Sequence, residues 1–411
     1  MPKPPDPRPS TPDDGRFAKR RVALGLGLTF FAAFELFKLP VILPLLLDDY
    51  DYPRTLAGGF MSVYALAGLL LSLPAGRAIA RRGTTLPVLL AIAVMLAGNL
   101  LALVWPASGA AMLAARALEG SGFAVLAIAG FVLASSGAPP RRRALVVGVL
   151  ATWIPVGQLL ATALAPALIT LGGWRAMWLA GTAVTAAFGV WGLYLVAHGG
   201  WSVGSVPDRE RRAEPAPLGA SRRHDLVLAG AVFMLWSGQY FAYMTWLPQY
   251  LVEVHDLGIG GAALAYALPS LLMLIGCPAT GWLLHLGIRG GGMMVAALAV
   301  QTLGWWMIPA ADDAIIGLVA LALYGASAGV IPTCLLALPG HLGGDAGTQA
   351  RAFGIMMSGR NLGVLIGPVL LAMLFDINRS WALAAPVFGG STLICLLLGG
   401  ALATRLRKAR P

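Results

Sequence analysis

Twelve apolar stretches, each too long to be an ordinary element of a soluble globule, run almost end to end along this chain. They cover residues 22–47, 56–76, 85–104, 110–135, 145–171 and 176–198, then 226–251, 260–284, 290–308, 314–338, 352–375 and 381–403. As a helix rising about 1.5 Å per residue, each can cross a hydrocarbon core of about 30 Å, with tilt or local thinning taking up the differences. Composition argues the same way. Of the 411 residues 58% are apolar and only 11% charged, and the mean hydropathy is +0.77. A soluble domain carries about 25% charged residues, so lipid must be the second solvent. The expected fold class is an all-α membrane protein with twelve transmembrane helices.

The net charge of +11 would raise nucleic acid as a partner for a soluble protein. Here the bases sit in short runs between apolar stretches, the pattern of cytoplasmic loops, and no nucleic-acid partner is expected. With the N-terminus cytoplasmic, tails and loops on that side hold 23 of the 29 Lys and Arg. The opposite side holds three, Arg54, Arg175 and Arg379, and Lys38, Arg116 and Arg360 lie within the stretches. Both termini are therefore expected in the cytoplasm. The expected organisation is a disordered cytoplasmic tail at 1–21, a six-helix bundle at 22–198, a cytoplasmic linker at 199–225, a second six-helix bundle at 226–403 and a tail at 404–411. The linker carries Pro207, Pro215, Pro217 and five arginines. Cys277, Cys334 and Cys395 all fall in apolar stretches, with neither disulfide nor zinc spacing.

The two halves repeat faintly. Pro74-Ala75-Gly76 ends the second stretch, and Pro278-Ala279-Thr280-Gly281 stands in the eighth; Gly120-Ser121-Gly122 in the fourth corresponds to Gly325-Ala326-Ser327-Ala328-Gly329 in the tenth. A 6+6 repeat is the architecture of many secondary transporters.

Several segments resemble the major facilitator superfamily. Gly76-Arg77-Ala78-Ile79-Ala80-Arg81-Arg82-Gly83 is similar to its cytoplasmic loop signature G-x-x-x-D-R-x-G, with Ala80 where the family has an acid. Arg116-Ala117-Leu118-Glu119-Gly120-Ser121-Gly122 resembles the R-x-x-x-G-x-G pattern, and Gly363-Val364-Leu365-Ile366-Gly367-Pro368 a G-x-x-x-G-P packing element. Trp246-Leu247-Pro248 and Pro332 to Leu338 look like the cyanate and nitroimidazole porter branch. The resemblance implies two bundles rocking about a central cavity, with Gly76, Arg81, Arg82 and Gly83 in a gating loop. It also implies that spans one, four, seven and ten line that cavity.

Ionisable residues within a membrane are costly and usually face a cavity or a partner. Five are present: Glu35, Lys38, Arg116, Glu119 and Arg360. Glu35 and Lys38 share one face of the first span, and Arg116 and Glu119 repeat that i, i+3 spacing on the fourth. Each pair either neutralises itself or contributes to a site. Together the five sum to +1, which favours a small anion, and protonation of Glu35 or Glu119 would couple its movement to protons. Arg360, with a planar fork of donors, suits a carboxylate or nitro group; its alternative is a pair with Glu35 or Glu119. Asn361 points about 100° away from it and is expected to bond to a neighbouring helix. Gln239, Tyr240 and Tyr243 are candidates to line the cavity, whereas Trp105 and Trp246 read as an interfacial belt.

The substrate-binding candidates are thus Glu35, Lys38, Arg116, Glu119, Gln239, Tyr240, Tyr243, Arg360 and Asn361. The expected activity is secondary transport of a small organic or inorganic anion, by alternating access and with proton coupling, in a bacterial inner membrane. Proton-driven drug efflux and a non-transporting membrane sensor are the alternatives. No enzyme is expected: the five histidines lie at span ends or in loops, and no phosphate-binding G-x-x-x-x-G-K-[ST] loop occurs. Met273 and Cys277 read as core rather than a soft-metal pair. No cofactor or metal is expected, and a single copy suffices as the working unit.

Overall fold

The computed structural model describes residues 12–137, 152–198, 220–308, 314–341 and 346–408, with residues 146, 149, 150 and 201 between them. Among the described residues no strand occurs. In lipid, a helix satisfies its own backbone.

The elements are α1 (Pro12–Tyr50), α2 (Arg54–Arg82), α3 (Thr85–Val104), α4 (Gly109–Gly137), α5 (Trp153–Ala197), α6 (Ala220–His255), α7 (Ile259–His285), α8 (Gly290–Met307), α9 (Ala314–Ala328), α10 (Val330–His341), α11 (Ala346–Asn378) and α12 (Ala384–Lys408). A 3₁₀ turn, Trp381–Leu383, precedes α12. Helix begins at Pro12, so residues 12–21, expected as part of a disordered tail, form the first turns of α1. Proline is well suited to a first helical position, and extending an existing helix costs far less than starting one. Residues 1–11 and most of the 199–225 linker lie outside the described residues, but Trp201 is buried: its indole donates to Thr84 Oγ1 (3.0 Å) and its carbonyl accepts from Thr85 Oγ1 (3.1 Å).

Among the described residues ten helical segments are long and apolar enough to cross a membrane. One is α5, 45 residues long, whose ladder is interrupted at Gly172 (φ −174°, ψ 29°) and Gly173 (φ 62°, ψ −151°). The left-handed φ at Gly173 suits a residue without Cβ, and the break separates an arm at 153–171 from an arm at 174–197. The ninth expected span, α8, falls below that apolarity because its 18 residues include four glycines, Gln301 and Trp305-Trp306. The tenth is divided at Gly329 between α9 and α10, yet residues 315–338 are counted as one span.

Helices of the first half pack α1 on α4 and α5, α2 on α4, and α3 on α4 and α5; those of the second pack α6 on α11 and α12, α7 on α9, and α8 on α12 and α9. Among the described residues the most extensive contacts between the halves are α2 with α11, α5 with α7, and α1 with α6. The α6–α11 pair is close because Gly359, Gly363 and Gly367, one face of α11, lie against the backbone of Gly230, Met234 and Gly238. Small residues at such spacing let two backbones approach where no hydrophobic force drives helices together.

At one end of the molecule a latch ties the halves. Arg54 of α2 pairs with Glu253 of α6, and its guanidinium lies 3.8 Å from the centre of the Phe375 ring. Thr55 donates from its backbone N–H to Asp376 Oδ2 (2.9 Å) and from its hydroxyl to the same oxygen. Trp381 Nε1 donates to Glu253 Oε2 (2.9 Å). At the other end Arg405 of α12 pairs with Asp225 of α6 at 2.6 Å.

Candidate functional site

Glu35, Lys38, Arg116 and Glu119 form one buried cluster between α1, α3, α4 and the second arm of α5. Lys38 Nζ donates to Glu35 Oε2 (2.6 Å), Asn99 Oδ1 (2.5 Å) and Glu119 Oε1 (3.3 Å). Arg116 donates to Glu119 Oε2 and to the carbonyl of Glu35 (3.3 Å). Asn99 Nδ2 donates to Glu35 Oε2 (3.3 Å), and Trp178 Nε1 to Glu119 Oε1 (3.0 Å). The Trp178 ring lies 4.4 Å from Lys38 Nζ, and the Tyr64 ring 4.2 Å from the Arg116 guanidinium. All four charged side chains are fully buried. Two cations against two anions leave the cluster formally neutral, and buried charges are tolerated when paired and hydrogen-bonded in this way. The i, i+3 pairs read from the sequence are both present; that they join each other is a product of packing. One atom is left over. Glu35 Oε1 has no hydrogen-bond partner among the described residues and faces Gly181, where an added Cβ would collide with it.

The second half carries a neutral cluster. Gln239 Oε1 accepts from Trp305 Nε1 (2.7 Å) and the Tyr324 hydroxyl (2.7 Å), and its Nε2 donates to Gln301 Oε1 (3.0 Å). Tyr243 stacks on Tyr324 with centroids 3.9 Å apart and meets Trp305 edge-on. With Trp246, Tyr250 and Trp381, it also lines a small, partly open apolar cavity of about 40 Å³ between α6, α8, α11 and α12, toward the latch. That cavity contains none of the five intramembrane charges. Trp246, expected in an interfacial belt, is buried and donates to the Pro368 carbonyl (2.9 Å); the close α6–α11 approach turns it inward. Trp105 is exposed.

Tyr240 works across the seam. Its hydroxyl lies 2.9 Å from Gln158 Nε2 and 3.0 Å from Gln158 Oε1 on the first arm of α5, and 3.1 Å from Met273 Sδ. Next to it, Phe241 stacks on Phe37 of α1 at 5.9 Å. Arg360 lies over that same Phe241 ring at 5.1 Å, its carbonyl accepting from Ser237 (2.7 Å). Arg360 is partly exposed and forms no ion pair among the described residues. Its alternative partners, Glu35 and Glu119, are taken by Lys38 and Arg116. Asn361 accepts from Arg360 Nη1 at 2.9 Å, a correction to its expected bond with a neighbouring helix. The long guanidinium stem folds back and spans the angle between successive helical positions.

Of the loop residues, Gly76 lies within α2, and Gly83 ends that helix at φ 75° with its N–H on the Ile79 carbonyl. The side chains of Arg81 and Arg82 lie outside the described residues. Sequence reasoning missed Asn99, Gln158, Gln301, Trp178 and Tyr324. The amides had a signal, since an uncharged amide in mid-span also needs a partner in lipid, but attention to formal charge passed over it.

Twelve apolar stretches, buried charge inside helices and a seam between two helical groups are the features of a membrane carrier. The model for the Major Facilitator Superfamily matches residues 25–350. The chain belongs to that superfamily. A comparison with individual curated proteins finds no match. As a superfamily member it is a multi-pass membrane transporter, and its helix-packing glycines take on positional meaning. Gly120 lies against the Tyr64 backbone on α2, and Gly363 and Gly367 against α6, so the motif glycines in both halves sit where two backbones come closest.

Proposed function

We propose that this transporter carries a small organic or inorganic anion by alternating access, with Arg360 as the anion anchor. The observation that carries this reading is the charge balance of the buried groups. Lys38 and Arg116 are matched by Glu35 and Glu119, while the Arg360 guanidinium at the seam has the Asn361 amide and the Phe241 ring beside it and no carboxylate among the described residues. A guanidinium without a carboxylate partner favours an anion and can hold a carboxylate or nitro group by two parallel hydrogen bonds. Asn361, Gln158 and Tyr240 supply neutral polar groups beside it. The charged cluster of the first half is assigned to internal pairing rather than to direct substrate contact, and Gln239 and Tyr243 to the frame behind Tyr240.

In this reading both arms of α5 cross the membrane and α8 crosses as well, giving twelve spans with both termini in the cytoplasm of a bacterial cell. The latch at Arg54, Glu253, Asp376 and Trp381 then closes the outer side, and a proton is the coupling ion. The working unit is a single chain. The likeness to cyanate and nitroimidazole porters agrees with a small anion or a nitro-bearing substrate. The apolar aromatic cavity is the feature that favours drug efflux instead, and a resistance profile in an overexpressing strain separates the two.

The test is anion uptake in proteoliposomes, with binding measured on the purified protein. Losing charge-assisted hydrogen bonds of about 1.5–3 kcal/mol in total predicts roughly ten- to 150-fold weaker anion binding for Arg360→Gln. Arg360→Lys should recover only part of it, because a point charge cannot make the bidentate contact. Unchanged anion affinity in Arg360→Gln would refute the assignment.

A further inference from the structure

The charged cluster of the first half and the neutral cluster of the second occupy the same place in the internal repeat. Glu35 corresponds to Gln239, Gly98-Asn99 to Gly304-Trp305, Ala115 to Ala320, Glu119 to Tyr324 and Gly120 to Gly325, each 204–206 positions later. The contacts correspond as well. Asn99 donates to Glu35 as Trp305 donates to Gln239. Gly98 faces the Ala115 carbonyl and Glu119, and Gly304 faces the Ala320 carbonyl and Tyr324. Gly120 lies on the backbone of Tyr64, and Gly325 on that of Pro269, its counterpart. The bundle is therefore built twice around one buried node, occupied by a carboxylate in one half and by its uncharged amide analogue in the other.

Resting on the transport reading above and deepening it, we propose that Glu35 alone is the proton-carrying carboxylate, cycling between an ionised form paired with Lys38 and a neutral form like Gln239. The partners of the two acids decide between them. Both oxygens of Glu119 are engaged, by Arg116 on one side and by Trp178 and Lys38 on the other. Protonating Glu119 neutralises the one carboxylate that pairs with Arg116 among the described residues. Glu35 has a spare oxygen, Oε1, buried and without a hydrogen bond among the described residues. An O–H bond formed there, with a proton taken from water when the bundle opens and returned to water on the other side, displaces no existing donor. Lys38 is not orphaned, because Asn99 Oδ1 and Glu119 Oε1 still accept from it.

The groups facing Glu35 are Lys38 on α1, Asn99 on α3, Arg116 and Glu119 on α4, and Gly181 with Trp178 on α5; Tyr64 on α2 lies behind Arg116. Protonation leaves this set with one net positive charge, whose field favours an anion at the Arg360 seam at the moment a proton is carried. Gly181 is a positioning residue: without a Cβ it leaves room for Oε1.

The test reads the carboxyl group directly. Infrared difference spectra of the purified protein, taken between acid and alkaline pH, should show the C=O band of a buried protonated carboxylic acid. The band should vanish in Glu35→Gln and persist in Glu119→Gln. Persistence in Glu35→Gln, or absence from the wild type, would overturn the proposal. Should Glu35→Gln fail to fold, Gly181→Ala keeps the acid but crowds Oε1: a shifted band is expected, and an unshifted one counts against the assignment. In proteoliposomes, Glu35→Gln should lose uptake driven by a pH gradient while retaining exchange of anion for anion. If the wild type moves no anion, the transport reading fails. If it moves anion and Glu35→Gln shows an unchanged pH profile, this inference fails alone.

Discussion

Replacing Lys38 with Met removes one charge from the cluster of Glu35, Lys38, Arg116 and Glu119 without changing the side-chain volume much. Lys38 Nζ is fully buried and donates to two carboxylates and to Asn99. Its loss leaves two acids against Arg116, which reaches Glu119 but touches Glu35 only at the backbone. Breaking a buried pair in this way costs about 3–5 kcal/mol, chiefly because the remaining charge is uncompensated. The unfolding equilibrium should then shift by about two to three and a half orders of magnitude. A second change, Glu35→Gln in the Lys38→Met background, removes that excess charge and leaves Arg116 with Glu119. Most of the lost stability should return. Unfolding in detergent followed by tryptophan emission suits the measurement, since the Trp178 ring lies 4.4 Å from the ammonium. A cost below about 1 kcal/mol for Lys38→Met, the level of an exposed pair, would refute the argument. So would a double variant no more stable than the single one.

The latch is different in kind. Its Arg54–Glu253 side chains are 23% and 26% exposed, so Arg54→Ala should cost less than about 1 kcal/mol. It should nevertheless loosen the seam. With Cys277, Cys334 and Cys395 replaced by Ala, a cysteine at Leu371 in the nearby cavity should react several-fold faster with a membrane-impermeant thiol reagent once Arg54 is removed; an unchanged rate would separate the pair from gating. For the α6–α11 contact, Gly363→Leu drives a side chain into the Met234 carbonyl and Ser237 and should cost at least about 1–3 kcal/mol. Gly390→Leu on α12, with nothing within 4 Å of its Cβ position, should stay within about 0.5 kcal/mol in the same thermal assay. Equal effects at the two glycines would refute the packing account.

Much of this could be read before any coordinates. Hydropathy runs identified the long apolar helices because lipid forces each crossing segment to be apolar and helical. Helical periodicity put Glu35 with Lys38, and Arg116 with Glu119, on shared faces because positions three apart on a helix are neighbours. The same reasoning failed wherever a side chain's length or a neighbouring helix made the decision. Helical spacing alone points Asn361 toward another helix, but Arg360 curls back to it. Trp246 was assigned to the interface, but the glycine face of α11 draws α6 close enough to bury it.

The amino-acid order by itself determined which residues lie within long apolar helices and which of them share a helix face, because both follow from one-dimensional spacing. Only the tertiary structure decided that two separate ion pairs become one neutral cluster through the Lys38–Glu119 and Arg116–Glu35 bonds, that Arg360 is left at the seam without a carboxylate among the described residues, and that Glu35 and Gln239 hold equivalent places. Those outcomes depend on which faces of helices distant in sequence come together. Buried charges are cheap or costly according to what lies within about 3 Å of them, and that distance is set by packing.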